Sequence, residues 1–311
     1  MMRRMALSLG AGASGWVLAA CGLAPRTPAP TATSALTPRL ELPHVVIARG
    51  GDQPETLVKR ALAALGGIER FVKAGSDVIL KPNISVGYYT YQYAATTNPW
   101  VVGALVKLCK GAGARRVRVM DFPFGGSAEE AYTRSGIAEQ VQAAGGVMEI
   151  MTGIRFAKLE LPRATDLHSC TVYGDVLQAD VFIDVPAAKQ HSLALLSGGM
   201  KNLMGVILER QAMHFNIGQR TADLASGIPI TLTVVDAIRT LRENGPTGGN
   251  LNDVKKIDTL IASTDVVAAD SMAATLFGLK PNDVPYIAAA ARMGLGRSDL
   301  DHLRVEDIRV E

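Results

Sequence analysis

Between Lys189 and Gly205 the chain reads Lys-Gln-His-Ser-Leu-Ala-Leu-Leu-Ser-Gly-Gly-Met-Lys-Asn-Leu-Met-Gly. It follows the apolar run from Asp180 to Val185, which ends at Pro186 and reads as a buried strand. This polar, turn-rich mixture is wrong for a core. It suits the carboxyl end of a strand in an open α/β sheet, where ligands collect. Lys189, His191, Lys201 and, further on, His214 are candidates for acid–base or Schiff-base chemistry. A lysine among other cations has a lowered pKa, and histidine titrates near neutrality. Ser197, Gly198, Gly199 and Asn202 flank Lys201 in a turn whose amides and ammonium suit a phosphate or carboxylate. The spacing is not that of a P-loop.

Other strand ends deliver polar groups in the same way: Lys81-Pro82-Asn83, Asp121, Asp236, and Ser263 with Asp265. Each alone also reads as a cap or turn residue; their coincidence argues for one shared site. Lys81, Asn83 and Asp236 are therefore expected to bind ligand. Asp121, Asp236, His191 and His214, with Asp270 nearby, compose a set for a hard metal ion. No His-x-x-x-His pair supports it, and proton transfer or simple hydrogen bonding is the alternative for the histidines. Gly-x-Ser-x-Gly is missing, as is Gly-x-Gly-x-x-Gly after the first strands, so neither a serine-hydrolase elbow nor a nicotinamide fingerprint is supported. Tyr88, Tyr89, Tyr91 and Tyr93 lie in a long link after a strand, as a lid that stacks on a flat ligand or as packing for the loop itself.

Positioning these groups requires a particular scaffold. Short β-rich runs at 44–48, 77–80, 117–120, 147–151, 180–185, 230–235, 257–262 and 303–310 alternate with amphipathic stretches, except that 154–173 alternates without helical period and reads as a hairpin. The fold class is α/β, a mostly parallel sheet covered by helices on both faces, with a division into two lobes near residue 150 as an option.

At 48% hydrophobic and 20% charged residues the chain has a substantial core, and a formal charge of +3 over 311 residues gives no reason to expect a nucleic-acid partner. Residues 1–20 are set aside as a signal: Arg3-Arg4 precedes a moderately apolar stretch too short to span a membrane. It ends Leu18-Ala19-Ala20-Cys21, the pattern of a bacterial lipoprotein signal that leaves Cys21 lipidated; an ordinary secretory signal is the alternative. The arginine pair leaves Sec and twin-arginine export both open. Residues 21–40, rich in Pro, Thr and Ala, make a tether, and 41–311 make the α/β body. The protein is thus expected outside the cytoplasm, anchored to a bacterial membrane through Cys21. Cys109 and Cys170 remain in the body, enough for one disulfide but short of the four ligands of an ordinary iron–sulfur cluster. The cofactor is left unknown.

Ile79-Leu80-Lys81-Pro82-Asn83, Asp184 to His191, Gly198-Gly199-Met200-Lys201-Asn202-Leu203-Met204-Gly205, Asp236-Ala237, Gly245-Pro246-Thr247-Gly248-Gly249 and Asp265 to Asp270 occur in that order. Together they resemble the domain-of-unknown-function 362 family over roughly Val78 to Gly296. Many members of that family carry a ferredoxin-like cluster domain, which this chain lacks, so the resemblance implies the fold region and leaves the reaction open. The expected function is recognition of an anionic small molecule, with Lys/His acid–base catalysis, with non-catalytic capture, or as an accessory subunit of a redox complex. Replacing Cys21 by Ala is expected to release the protein from the membrane fraction and remove its acyl mass; a variant that stays with the membrane sinks the lipoprotein expectation.

Overall fold

Strand residues here alternate between two cores, and that alternation sets the layers. The computed structural model describes residues 41–311; the signal-like stretch, Cys21 and the tether lie outside them. In chain order the elements are β1 (Val45–Arg49), α1 (Pro54–Ala64), β2 (Asp77–Pro82), α2 (Pro99–Gly111), β3 (Arg116–Val119), α3 (Ala128–Arg134), α4 (Ile137–Ala143) and β4 (Val147–Met148). They continue with β5 (Phe156–Glu160), β6 (Ser169–Tyr173), α5 (Asp175–Gln178), β7 (Val181–Val185), β8 (Ala187–His191), β9 (Leu195–Ser197), α6 (Gly199–Asn202) and α7 (Ile217–Ala225). The chain closes with β10 (Leu232–Leu241), β11 (Val254–Ser263), α8 (Val266–Thr275), α9 (Pro285–Arg292) and β12 (Val305–Arg309).

The main sheet runs β12-β1-β11-β10-β7-β2-β3-β4, with β8 continuing beside β10 and β9 folding back on β8. From β10 to β4 all neighbours are parallel, whereas β11 is antiparallel to both β10 and β1. Val78 and Leu80 of β2 point into a core with α1, α2 and α4, while Ile79 between them points into a second core with Phe182 and the β5–β6 hairpin. Ile47, Val235 and Ile261 reach a third core built by α8 and α9. Helices therefore cover both faces, as the sequence leads one to expect. The two-lobe option is not realised: 41–311 form one unit, in which β5 and β6 make a small separate sheet beside the main one. Cys109 and Cys170 are free, buried in different cores, and burial pushes each thiol up to about 12.

Two local readings are corrected. The segment after Pro186 is not one long turn. Proline lacks an N–H and interrupts the ladder, its carbonyl accepting from the Asp236 amide, and the strand then resumes as β8 and turns into β9. Nor does a strand end at Asp236: β10 runs on to Leu241. The Asp236 carboxylate is buried and accepts from the amides of Asn98 (2.6 Å) and Ile238 (3.0 Å). Asn98 is the cap of α2, its side chain accepting from Trp100 N at 3.0 Å, with Pro99 at the first turn. Asp236 thus fixes the start of the α2 helix to the sheet, and burial pushes its carboxyl up to about 6. Asp236→Ala, which strands two amides, is expected to lower stability by roughly 2 kcal/mol in denaturant titration, leaving anion affinity nearly unchanged.

Candidate functional site

Lys81 is the penultimate residue of β2, and register places it opposite Asp184 on β7. It is fully buried. Its ammonium donates to Asn202 Oδ1 (2.7 Å) and the Pro82 carbonyl (3.0 Å) and pairs with Asp121 Oδ1 at 2.9 Å. Asp121, delivered just past the end of β3, also accepts from the amides of Ile84 (2.5 Å) and Phe122 (2.9 Å). Asn202 ends α6 and has its whole amide engaged. Its Oδ1 accepts from Lys81 and from Asn83 Nδ2 (3.1 Å); its Nδ2 donates to the Lys81 carbonyl (3.1 Å) and to Asp184 Oδ1 (2.7 Å). Asp184 Oδ2 has no partner, and burial, opposed by the nearby Lys81 charge, holds the carboxyl well above the usual range.

Lys189, on β8, donates to Asn83 Oδ1 (2.7 Å), Ser85 Oγ (2.9 Å) and the Ala95 carbonyl (2.7 Å). None of these is charged. Burial first, then the Lys201 charge, pull its pKa well below the ordinary lysine value. Lys201 behaves differently. It is half-buried, joins no ion pair among the described residues, and has Met204 Sδ at 3.8 Å as its polar contact. Burial and then Lys81 lower its pKa to about 8.

His191 is held by two donors, the amides of Leu193 (3.1 Å) and Ala194 (3.2 Å), both aimed at Nδ1. A ring whose Nδ1 accepts carries its proton on Nε2. Burial, then Lys201 and Lys189, depress the pKa to about 3, so the ring is neutral and offers one N–H. That form cannot serve as a base or a metal ligand through Nε2. The proposed metal set fails on each other member as well. Asp121 is consumed by Lys81 and two amides, Asp236 is turned to α2, and His214 is an exposed residue of a short 3₁₀ turn. Among the described residues no cluster of three or more His, Cys, Asp or Glu is placed to hold a metal ion.

These groups surround a cavity of about 660 Å³, a size typical of small-molecule sites. It is lined by Lys81, Asn83, Asp121, Lys189, His191, Ser197, Gly198, Lys201, Asn202 and His214, all anticipated from sequence. Gly199 and Asp236 lie outside the lining, and so does the pair Ser263 and Asp265, which starts α8: Asp265 Oδ1 accepts from the Ala268 amide. Arg210 is a lining cation that sequence reasoning missed; it donates to the carbonyls of Phe122 and Pro123 and lies 4.4 Å over the Phe122 ring. Among the described residues that line the cavity, Lys81, Lys189, Lys201 and Arg210 thus face a single carboxylate, Asp121.

The Gly198-Gly199 turn is not an open anion cradle. The amides of Gly199 (2.5 Å) and Met200 (2.9 Å) already donate to the carboxylate of Asp270, a buried residue of α8 that burial pushes up to about 7. A Cβ on Gly198 would lie 2.3 Å from Asp270 Oδ1, so the glycine permits that approach. The sequence offers Asp270 beside the metal set; the structure gives it to the Gly199 and Met200 amides instead. The tyrosines pack down the loop, Tyr89 stacked on Tyr93 at 4.8 Å with Tyr88 edge-on to Tyr89 and Tyr91 edge-on to Trp100, and none lines the cavity.

The fold and site thus define an α/β protein with a cationic cavity at the carboxyl ends of its parallel strands. Residues 78–275 match the model of the domain of unknown function family DUF362, and the chain belongs to that family. It is similar to the thylakoid-associated protein of Synechocystis sp., 29% identical over 247 residues that cover 76% of this chain and 74% of that protein. Among solved structures it is similar to the lactate racemase apoprotein from Thermoanaerobacterium thermosaccharolyticum, with a TM-score of 0.45 and 12% identity over 72% of this chain. That match spans 56% of the racemase, little more than half its length.

Gly205 lets the chain pass against the central ion pair: an added Cβ would lie 2.0 Å from Asp121 Oδ1 and 2.6 Å from Lys81 Nζ. Gly205→Ala is expected to break that buried pair and lower unfolding free energy on the order of 3 kcal/mol, read by chemical denaturation.

Proposed function

We propose that the protein binds an anionic small molecule in this cavity and that Lys201 is both the charge that meets it and the group that moves a proton on it. The observation that carries this reading is Lys201 itself, an ammonium opening on the cavity without a counter-charge while Lys81 is paired and Lys189 is saturated by neutral acceptors. A lysine that titrates near 8 exchanges its proton readily at physiological pH. His191 acts as a fixed hydrogen-bond donor to the ligand, and Arg210 adds to the positive field of the cavity. The non-catalytic alternative, capture for transfer, gains from the locked state of His191 and Asp121, which leaves few groups free to titrate against Lys201.

The cavity belongs, on this reading, to a body tethered outside the cytoplasmic membrane by lipidated Cys21. The Ala19-Ala20-Cys21 pattern supports it, and so does a relative named for its association with a thylakoid. No helix among the described residues is long and apolar enough to cross a membrane.

Sulfate keeps its charge across the relevant range and serves as the probe. Below about pH 8 Lys201 is protonated and attracts it; above, the charge is lost. Sulfate affinity by isothermal titration should therefore decline as pH rises through about 8. Lys201→Arg should abolish the decline, and Lys201→Ala should weaken binding about tenfold at pH 7, the scale of one charge-assisted hydrogen bond. Unchanged affinity in Lys201→Ala overturns the reading. Once a substrate is in hand, an enzyme loses turnover in Lys201→Ala or His191→Ala while keeping appreciable affinity, whereas a pure binder loses affinity in proportion.

A further inference from the structure

We propose that the ligand of this cavity is an amphiphile, an anionic group carried on an extended apolar body; this deepens, and rests on, the anion-binding reading above. The cavity is graded from floor to mouth. Its floor holds Lys81 and Lys189, 0% and 2% exposed, with Asn83 and Asn202 between them. The outer wall is apolar: Phe122, Pro123 and Phe124 leave the end of β3, and Met204 and Leu208 lie beyond α6. Phe124 is 56% and Leu208 47% exposed. The wall is braced, because Arg210 lies over the Phe122 ring and donates to the Phe122 and Pro123 carbonyls.

Two further exposed apolar residues lie on segments that carry polar lining residues. Leu193, exposed, follows His191 in the hairpin turn whose amides hold the imidazole, and Phe215, 85% exposed, follows His214. Single exposed apolar residues are ordinary, but Phe124 and Leu208, both exposed and both lining one cavity, mark a binding surface. A small hydrophilic anion fills little of about 660 Å³ and leaves this wall against water. A molecule with its charge at Lys201 and its apolar body along Phe122, Phe124, Met204 and Leu208 covers both halves. Charge complementarity fixes the orientation, head inward.

The test is calorimetric titration of the full-length chain carrying Cys21→Ala with acetate, butyrate, hexanoate and octanoate, all below micelle-forming concentration. Affinity is expected to rise roughly two- to fourfold per added methylene, with octanol and octylammonium binding far more weakly than octanoate. Phe124→Ser and Leu208→Ser, at exposed positions that do not bear on folding, should flatten that rise. Anionic-lipid vesicles that displace octanoate assign the ligand to a bilayer headgroup; octanoate binding without displacement assigns it to a free amphiphile, and both support the proposal. Short anions that bind through Lys201 with no gain from chain length overturn the amphiphile and leave the anion reading standing. Failure of sulfate and every carboxylate to bind removes the anion reading and this proposal together.

Discussion

The arrangement of this site depends on one neutral side chain. Asn202 uses both lone pairs of its carbonyl and both amide hydrogens, and through them ties Lys81, Asn83 and Asp184 to one another. A buried ammonium needs acceptors, and a second carboxylate in place of Asn202 would supply them while neutralising the cavity. An amide satisfies the lysine and leaves the charge. Asn83 repeats the device for Lys189, its Oδ1 accepting from that ammonium while its Nδ2 reaches Asn202. The cationic floor is therefore held by dipoles, with Asp121 as its one fixed counter-charge.

Backbone close approach is the second constraint. The segment from Ser197 to Gly205 crosses the ends of β2, β3 and β7, where Lys81, Asp121 and Asp184 emerge, and it does so on residues that lack side chains. Gly198 admits Asp270, Gly199 sits 2.9 Å at its notional Cβ from Asp184 Oδ2, and Gly205 passes against Asp121 and Lys81. The glycines that look in sequence like an anion loop thus make room for the protein's own carboxylates, one of which occupies the two amides that an outside anion would have used.

How much could be read beforehand follows from the range of each interaction. Most of the strands and the hairpin at 154–173 were legible because each is written in a local pattern; β8 and β9 were not, because Pro186 breaks the ladder before it resumes. Lys81 and Lys189 were legible because a polar residue at the end of a buried apolar run has few other reasons to be there, and Asn202 because it flanks Lys201 in a glycine turn. Asp236 was placed in the site because the sequence does not show that β10 runs on past it, nor that its carboxylate meets an amide 138 residues away. The role of Gly198-Gly199 was misread for the same reason, since Asp270 is 71 residues from Gly199. Arg210 had no local signature: what places it is the return of the chain after α6 beneath the Phe122 ring. The protonation of His191 rests on two amides in its own turn, a geometry that spacing alone does not reveal.

The surplus of cations over carboxylates in the cavity also bears on the folded state as a whole. An empty site keeps like charges close in a medium that screens them poorly, so the unliganded protein carries a repulsion that an incoming anion relieves. Anything that binds the native form alone adds RT ln(1 + [L]/Kd) to its stability. Survival of the fold and occupancy of the cavity are thus linked quantities, and resistance to proteolysis or heat reports how much ligand the surroundings supply.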